Sequence, residues 1–201
     1  MLKVVTLNFA VLGDSIAYGQ GASRPADTIG ARLAADLGIP TDVRVFAVPG
    51  ADSRGLATQV QRAAAAKPDV ALIIIGANDL THFVPPQRAA TLLGDAVRTL
   101  RDTGAEVVVA PAPDLSVVPW VPQQMRLAVQ AGSRLLRQEQ TRAAEAAGAR
   151  IADISGSSAS AFAADRRLFS ADHFHPSSAG YAVIAAALAP TVRAAAAARV
   201  R

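Results

Sequence analysis

Cysteine is absent from the 201-residue chain, and aromatic side chains make up only 4% of it. The first absence removes disulfide scaffolds, thiolate metal ligands and cysteine nucleophiles together. The second leaves alanine, valine and leucine to build the core. No apolar run approaches the roughly 20 residues that a bilayer-spanning helix needs, so no membrane span is expected. A basic stripe is missing as well. The formal charge of +4 and sequence pI of about 10.3 raise the question of nucleic acid. The arginines, however, are scattered singly, with Arg166-Arg167 the only adjacent pair and no interleaved aromatics. Nucleic acid is therefore not an expected partner. A GxxxxGK[ST] phosphate loop is also lacking.

What the chain does have is alternation. Apolar, β-branched runs at Val4–Leu12, Val43–Val48, Val70–Ile75, Val107–Ala110 and Arg150–Ile154 read as strands. Helical patterns lie between and after them, at about 27–37, 53–66, 86–103, 122–147 and 177–198. Gly38, Gly104 and Gly148 each follow a helical pattern, where a left-handed cap is expected. Strand and helix alternating five times implies right-handed crossovers and an α/β fold. The expectation is a three-layer α/β/α sandwich around a central five-stranded parallel sheet, one domain over residues 1–201. The opening MLKVVTLNFAVLGDS places a lysine ahead of an apolar run, as a signal peptide does. Cleavage there would delete the strand leading into GDS, so it is read as strand, and a cytoplasmic location is expected unless an upstream signal has been removed.

Ligands bind at the carboxyl edge of open parallel sheets. GDSIAYG, VPGADS, GANDL and the proline-rich APAPDLSVVPWVP each follow a predicted strand and so converge on that rim, and DHFHP joins them just before the last helix. Ser15 is the candidate nucleophile. Its hydroxyl is weak until a base takes its proton, and near neutral pH that base is histidine. Of the three histidines, His173 and His175 lie in DHFHP beside Asp172. An acid three positions before His175 can fold back onto its Nδ1 proton and leave Nε2 facing the serine. Pro176 suits a first helical turn, which would put His175 just ahead of that helix. The Ser15 backbone N–H, the Gly50 N–H and the Asn78 amide can supply an oxyanion hole.

Ser15 in GDSIAYG, Gly50 in VPGADS, Asn78 in GANDL and His175 in DHFHP resemble, in order and spacing, the four blocks of the SGNH, or GDSL-type, hydrolase superfamily. The resemblance spans residues from about 8 to 185. It implies a flavodoxin-like sandwich and an esterase that needs no cofactor and acts on a small-molecule ester. By position, it makes Ser15 the nucleophile and an oxyanion donor, Gly50 and Asn78 the other donors, and His175 the base oriented by Asp172. GAND stands where the family often has GTND, outside the asparagine. Ala17 occupies the last position of a would-be GxSxG, which argues against the α/β-hydrolase elbow.

Other readings remain beside this one. Ser15 can simply cap a helix, Asn78 can form an Asx turn, and Gly50 can serve a turn alone. Asp14 and Asp79 are read as hydrogen-bonding loop backbone. His173 and His175 with Asp172 can share a metal, although no HExxH or second cluster completes the shell and no metal is expected. His82, Phe83 and Trp120 are candidates for the acyl pocket, and the scarcity of aromatics favours short acyl chains. A carbohydrate O-acetyl esterase or an acyltransferase would use the same machinery. A flavodoxin-like binding module is the non-enzymatic alternative. The sequence carries no signal for an oligomeric state.

Overall fold

The structure, a computed structural model, describes residues 6–154 and 156–199. Five parallel strands, β1 (Leu7–Gly13), β2 (Thr41–Val45), β3 (Val70–Ile74), β4 (Glu106–Ala110) and β5 (Arg150–Ile151), form one sheet in the order β2-β1-β3-β4-β5. After β2 the chain crosses to the other side of β1 and then adds strands in one direction. The switch point, where flanking loops splay apart and open a crevice, lies between β1 and β3.

Side chains alternate across a strand, so each one divides its residues between two cores. Phe9, Val11, Leu72, Ile74 and Val108 face α2 (Ile29–Leu37) and α8 (Ser178–Arg199). Ala10, Leu12, Ala71, Ile73, Val107 and Val109 face α3 (Leu56–Ala65) and α5 (Pro86–Asp102), with α6 (Arg126–Ala146) packed alongside α5. All five residues of β3 are buried, which is why VALII shows no polar alternation. The α/β sandwich expected from the alternation is present.

Several details depart from expectation. Val4 and Val5 of the predicted first strand lie outside the described residues. Two other strands shift or shorten: β2 begins two residues early, and β5 pairs over only two residues as the sheet's edge. Three short helices, α1 (Ser15–Tyr18), α4 (Ala77–Thr81) and α7 (Ser157–Ala164), were not expected. The first two are about one turn long, too short to display a period, and α7 lacks an apolar stripe. The last helix starts at Ser178, so Pro176 is not in its first turn; Pro176 instead makes an isolated antiparallel bridge with Phe169. Contrary to the reading of apolar runs, α8 is long and apolar enough to cross a membrane, with a mean hydropathy of 1.5 in its best window. Its stripe Tyr181, Ile184, Leu188, Val192 and Ala195 is nonetheless buried against the sheet core, as in a core helix.

Two buried glutamines brace the carboxyl edge. Gln59 of α3 accepts the Gly13 N–H through Oε1 at 2.7 Å and donates Nε2 to the Gly13 carbonyl at 2.9 Å. Gln140 of α6 accepts the Ala112 N–H at 2.8 Å and donates to the Ile75 carbonyl at 3.3 Å. At a strand's end the ladder no longer satisfies these backbone groups, and a buried amide replaces it. Gln59→Leu would keep the volume but orphan the Gly13 N–H, while the Gly13 carbonyl keeps its bond from Val48, so urea unfolding should show a loss of about 1–3 kcal/mol; a loss under about 0.5 kcal/mol would mean the turn finds other partners.

Candidate active site

The chain leaves β1 through Gly13, whose φ of 130° suits only glycine and whose added Cβ would lie 1.8 Å from the Ile74 carbonyl oxygen. Asp14 then caps α1, its carboxylate accepting the Ile16 N–H at 2.9 Å. Ser15 is thereby held as the first residue of α1, where its own N–H has no acceptor within the helix. It is buried, 6% exposed, so only an incoming group in the crevice can reach it.

Downstream, residues 170–176 fold around one carboxylate. Asp172 Oδ1 accepts the Phe174 N–H at 2.9 Å, the His175 N–H at 2.9 Å and the Ser170 hydroxyl at 2.8 Å, while Oδ2 lies 2.6 Å from His175 Nδ1. Burial acts to raise the Asp172 carboxyl; the hydrogen bonds from His175, the two N–H groups and Ser170 outweigh it and hold it well below the usual range. Because a carboxylate only accepts, Nδ1 carries the proton, and Nε2 presents its lone pair to Ser15 Oγ at 3.0 Å. The exposed His173 takes the left-handed φ of 56° that turns the chain between the two histidines' positions. Of the two, it is His175 that meets Ser15.

The other loops are stitched to this pair. Val48 donates to the Gly13 carbonyl at 3.1 Å and Asp14 N–H to the Ile74 carbonyl at 3.1 Å. Asp79 accepts the Ser53 N–H at 3.0 Å and the Ser53 hydroxyl at 2.9 Å. Asn78 Nδ2 spends one hydrogen on the Ala51 carbonyl at 2.9 Å, which orients its amide and leaves the second hydrogen free to point elsewhere. Gly50, next to Ala51, is exposed and has a φ of 80°, with open space where a Cβ would stand, so conformation is what calls for glycine there. Gly21 makes the last close approach: a Cβ on it would sit 2.5 Å from the Pro176 carbonyl oxygen and 3.1 Å from His175 Cβ.

An apolar cavity of about 70 Å³ adjoins the Ser–His pair. Ile16, Phe162, Phe169, Phe174, Pro176 and Ile184 are among its walls. The three residues read from sequence as acyl-pocket candidates, His82, Phe83 and Trp120, are not among this cavity's walls. His82 pairs Nδ1 with Asp52 Oδ2 at 2.9 Å, Phe83 is 90% exposed, and Trp120 stacks on Phe174 at 5.3 Å, with Phe174 edge-on to His175 at 4.9 Å. Sequence reasoning passed over Ile16 and Phe174, although each adjoins a quoted site residue. Phe162 and Phe169 gave no signal, because helix α7 and the segment that follows it reach the site only through the fold. Among the described residues no three His, Asp or Glu side chains converge as a cation site.

Taken together, a parallel α/β sandwich with a serine, a histidine and an acid aligned at its switch point has the arrangement of the serine acyl hydrolases. Residues 11–183 match the GDSL-like lipase/acylhydrolase family, and the chain belongs to it. A GDSL-like esterase of Mycobacterium tuberculosis is 39% identical over 187 residues, covering 89% of this chain and 59% of its own length, so the chain spans about three fifths of that relative. Among solved structures, a member of the lipolytic G-D-S-L family from Veillonella parvula superposes with a TM-score of 0.73 at 15% identity, covering 92% of this chain and 96% of that one. A catalytic mutant of an acetylxylan esterase from Geobacillus stearothermophilus does so with a TM-score of 0.72 at 16% identity, covering 94% and 96%. At such identities these structures establish the shared fold.

Burial, reinforced by the neighbouring Asp79 and opposed by the Ile16 N–H, pushes the Asp14 carboxyl from 3.8 up to about 7. The folded chain thus holds this proton more tightly than the unfolded chain. Its contribution therefore lowers stability progressively from about pH 4 to about pH 7, by on the order of 4 kcal/mol, and is constant above. Asp14→Asn keeps a capping side chain without an ionisation. Its stability relative to the parent should rise by that amount between about pH 4 and about pH 8. A difference that does not vary with pH would show that Asp14 ionises normally.

Proposed function

We propose that the chain is a serine esterase that cleaves small carboxylic esters through an acyl-Ser15 intermediate. The observation that carries the reading is the continuous line from Ser15 Oγ through His175 Nε2 at 3.0 Å to Asp172 at 2.6 Å from Nδ1. In this reading Ser15 Oγ attacks the ester carbonyl as His175 Nε2 takes its proton. The carbonyl oxygen becomes anionic and is met by the Ser15 N–H, the Gly50 N–H and the free Asn78 amide hydrogen. Asp172, already ionised, stabilises the imidazolium without taking its proton. His175 then passes that proton to the leaving alcohol oxygen. A water, deprotonated by His175, attacks the acyl carbon, and the serine leaves with the proton.

The apolar cavity beside Ile16 and Phe174 suits the acyl side. At about 70 Å³, and with a water-sized group occupying about 10–15 Å³ on this measure, it has room for roughly five heavy atoms. Short acyl groups fit and long chains do not. On the alcohol side, Trp120 is 55% exposed beside the Ser–His pair. An aromatic face so placed can pack on the apolar face of a sugar ring, which favours, as a second reading, a carbohydrate O-acetyl esterase with the same machinery.

A p-nitrophenyl ester series from acetyl to dodecanoyl tests the first reading. Turnover should peak at short acyl chains, and Ser15→Ala or His175→Ala should each lower kcat by about four orders of magnitude or more. Full activity in either variant would exclude the mechanism. Trp120→Ala should raise KM for an acetylated sugar and spare p-nitrophenyl acetate; equal effects on both would sink the carbohydrate reading.

A further inference from the structure

The cavity that receives the acyl group in the esterase reading, on which this inference rests, is not wholly apolar. Two of its lining residues, Asp114 and Ser158, carry polar side chains. Asp114 is engaged: one carboxylate oxygen accepts the Ser116 N–H at 2.9 Å and the other faces Gln130 Nε2 at 3.4 Å. Ser158 is not engaged. It is 4% exposed, and its buried Oγ has no hydrogen-bond partner among the described residues.

This is an unusual condition for a helical serine. The ordinary recourse of such a hydroxyl is the carbonyl four residues back, and Ser160, on the same helix α7, takes it, donating to the Gly156 carbonyl at 3.2 Å. Ser158, in the first turn of α7, has Ile154 four residues back, ahead of the helix, and its Oγ finds no acceptor or donor there, while the residue is part of the cavity lining. A buried hydroxyl without a partner is costly, and alanine, which fills much of this helix, would fit the same space without that cost. An acyl group made only of carbon would leave the hydroxyl unpaired throughout catalysis. One bearing an oxygen would satisfy it, since a serine hydroxyl both donates and accepts.

From this we infer that Ser158 is a specificity-determining residue that hydrogen-bonds an oxygen on the acyl chain, so that the preferred substrates are esters of small hydroxy or oxo acids. The oxygen is carried on a neutral group, because the Asp114 carboxylate on the same wall repels an anionic one. A site built to pair a substrate hydroxyl discriminates far more strongly than one that only adds apolar contact, because binding an analogue that lacks the oxygen leaves a buried partner orphaned.

The test compares kcat/KM for p-nitrophenyl butyrate with that for the p-nitrophenyl esters of 2-, 3- and 4-hydroxybutyrate, in the parent, Ser158→Ala and Ser158→Thr. The parent should favour at least one hydroxy isomer by about tenfold or more. Ser158→Ala should bring the two within about twofold of each other, and Ser158→Thr, which keeps a hydroxyl, should restore the preference. A parent that prefers butyrate, or a preference that survives Ser158→Ala, overturns the inference. Calorimetric binding of butyric and hydroxybutyric acids to Ser15→Ala reads the cavity without turnover. A hydroxy preference there, sensitive to Ser158→Ala, upholds Ser158 even if no ester is cleaved, in which case only the esterase reading falls. Equal binding of the acids, together with equal turnover of the esters, removes Ser158 from specificity.

Discussion

A chain leaving a central strand of a parallel sheet must turn out of the layer while its backbone is still buried between two neighbours, and at Gly13 that problem is most acute. The Ile74 carbonyl of β3 occupies the space where any Cβ would stand, and the peptide groups have run out of ladder partners. Gln59 supplies the missing donor and acceptor, Val48 adds a second donor to the same carbonyl, and Asp14 N–H returns to Ile74. The sharp exit places Ser15 at the switch point, with β2's loop on one side and β3's on the other. Every other element of the site is registered to this turn: the Asp79–Ser53 and Asn78–Ala51 bonds tie the flanking loops together, and the close approach at Gly21 brings the histidine segment against the first loop.

Three aspartates near the serine illustrate how surroundings divide identical groups. Asp172 stands at the rim, half open to water and supplied with four donors, and remains ionised. Asp14 and Asp79 lie inside, each desolvated, with Asp79 as a charged neighbour of Asp14 and Asp52 as one of Asp79, and both are pushed upward. A carboxylate that is to balance an imidazolium has to be ionised beforehand, and of the three it is Asp172 whose carboxyl is held below the usual range. The buried pair serves the backbone instead, by capping α1 and holding the loop at Ser53. The tautomer of His175 follows from the same division, because an acceptor-only partner on Nδ1 leaves Nε2 as the atom that faces Ser15 Oγ.

Much of this was legible in the chain. β-branched runs such as VALII leave no ambiguity about a strand buried on both faces, and five of them alternating with helical patterns imply the parallel sheet. The residues quoted for chemistry, Ser15, Asp172 and His175, are brought within hydrogen-bond distance. Other features were not visible. One-turn helices such as α1 and α4 show no period, and a glutamine in an amphipathic helix reads as surface until the fold buries it, as with Gln59 and Gln140. α8 passes for a membrane span by composition because alanine is apolar enough on either side of the helix, yet its larger side chains fall on the face against the sheet.

The sequence by itself determined the strand order of events along the chain, the α/β class and the chemical types gathered at one edge, since these depend on period, propensity and short motifs that act over a few residues. Only the tertiary structure decided how deeply each carboxylate is buried and where the apolar cavity beside the Ser–His pair opens. Those outcomes depend on contacts between residues as far apart as Ile16, Phe162 and Ile184, and on burial that no local pattern reports. The pocket expected at His82, Phe83 and Trp120 illustrates the difference. Proximity in sequence to a site residue brought those three to the rim, but the packing of α7 and the segment around Phe169 against α8 placed the apolar walls elsewhere.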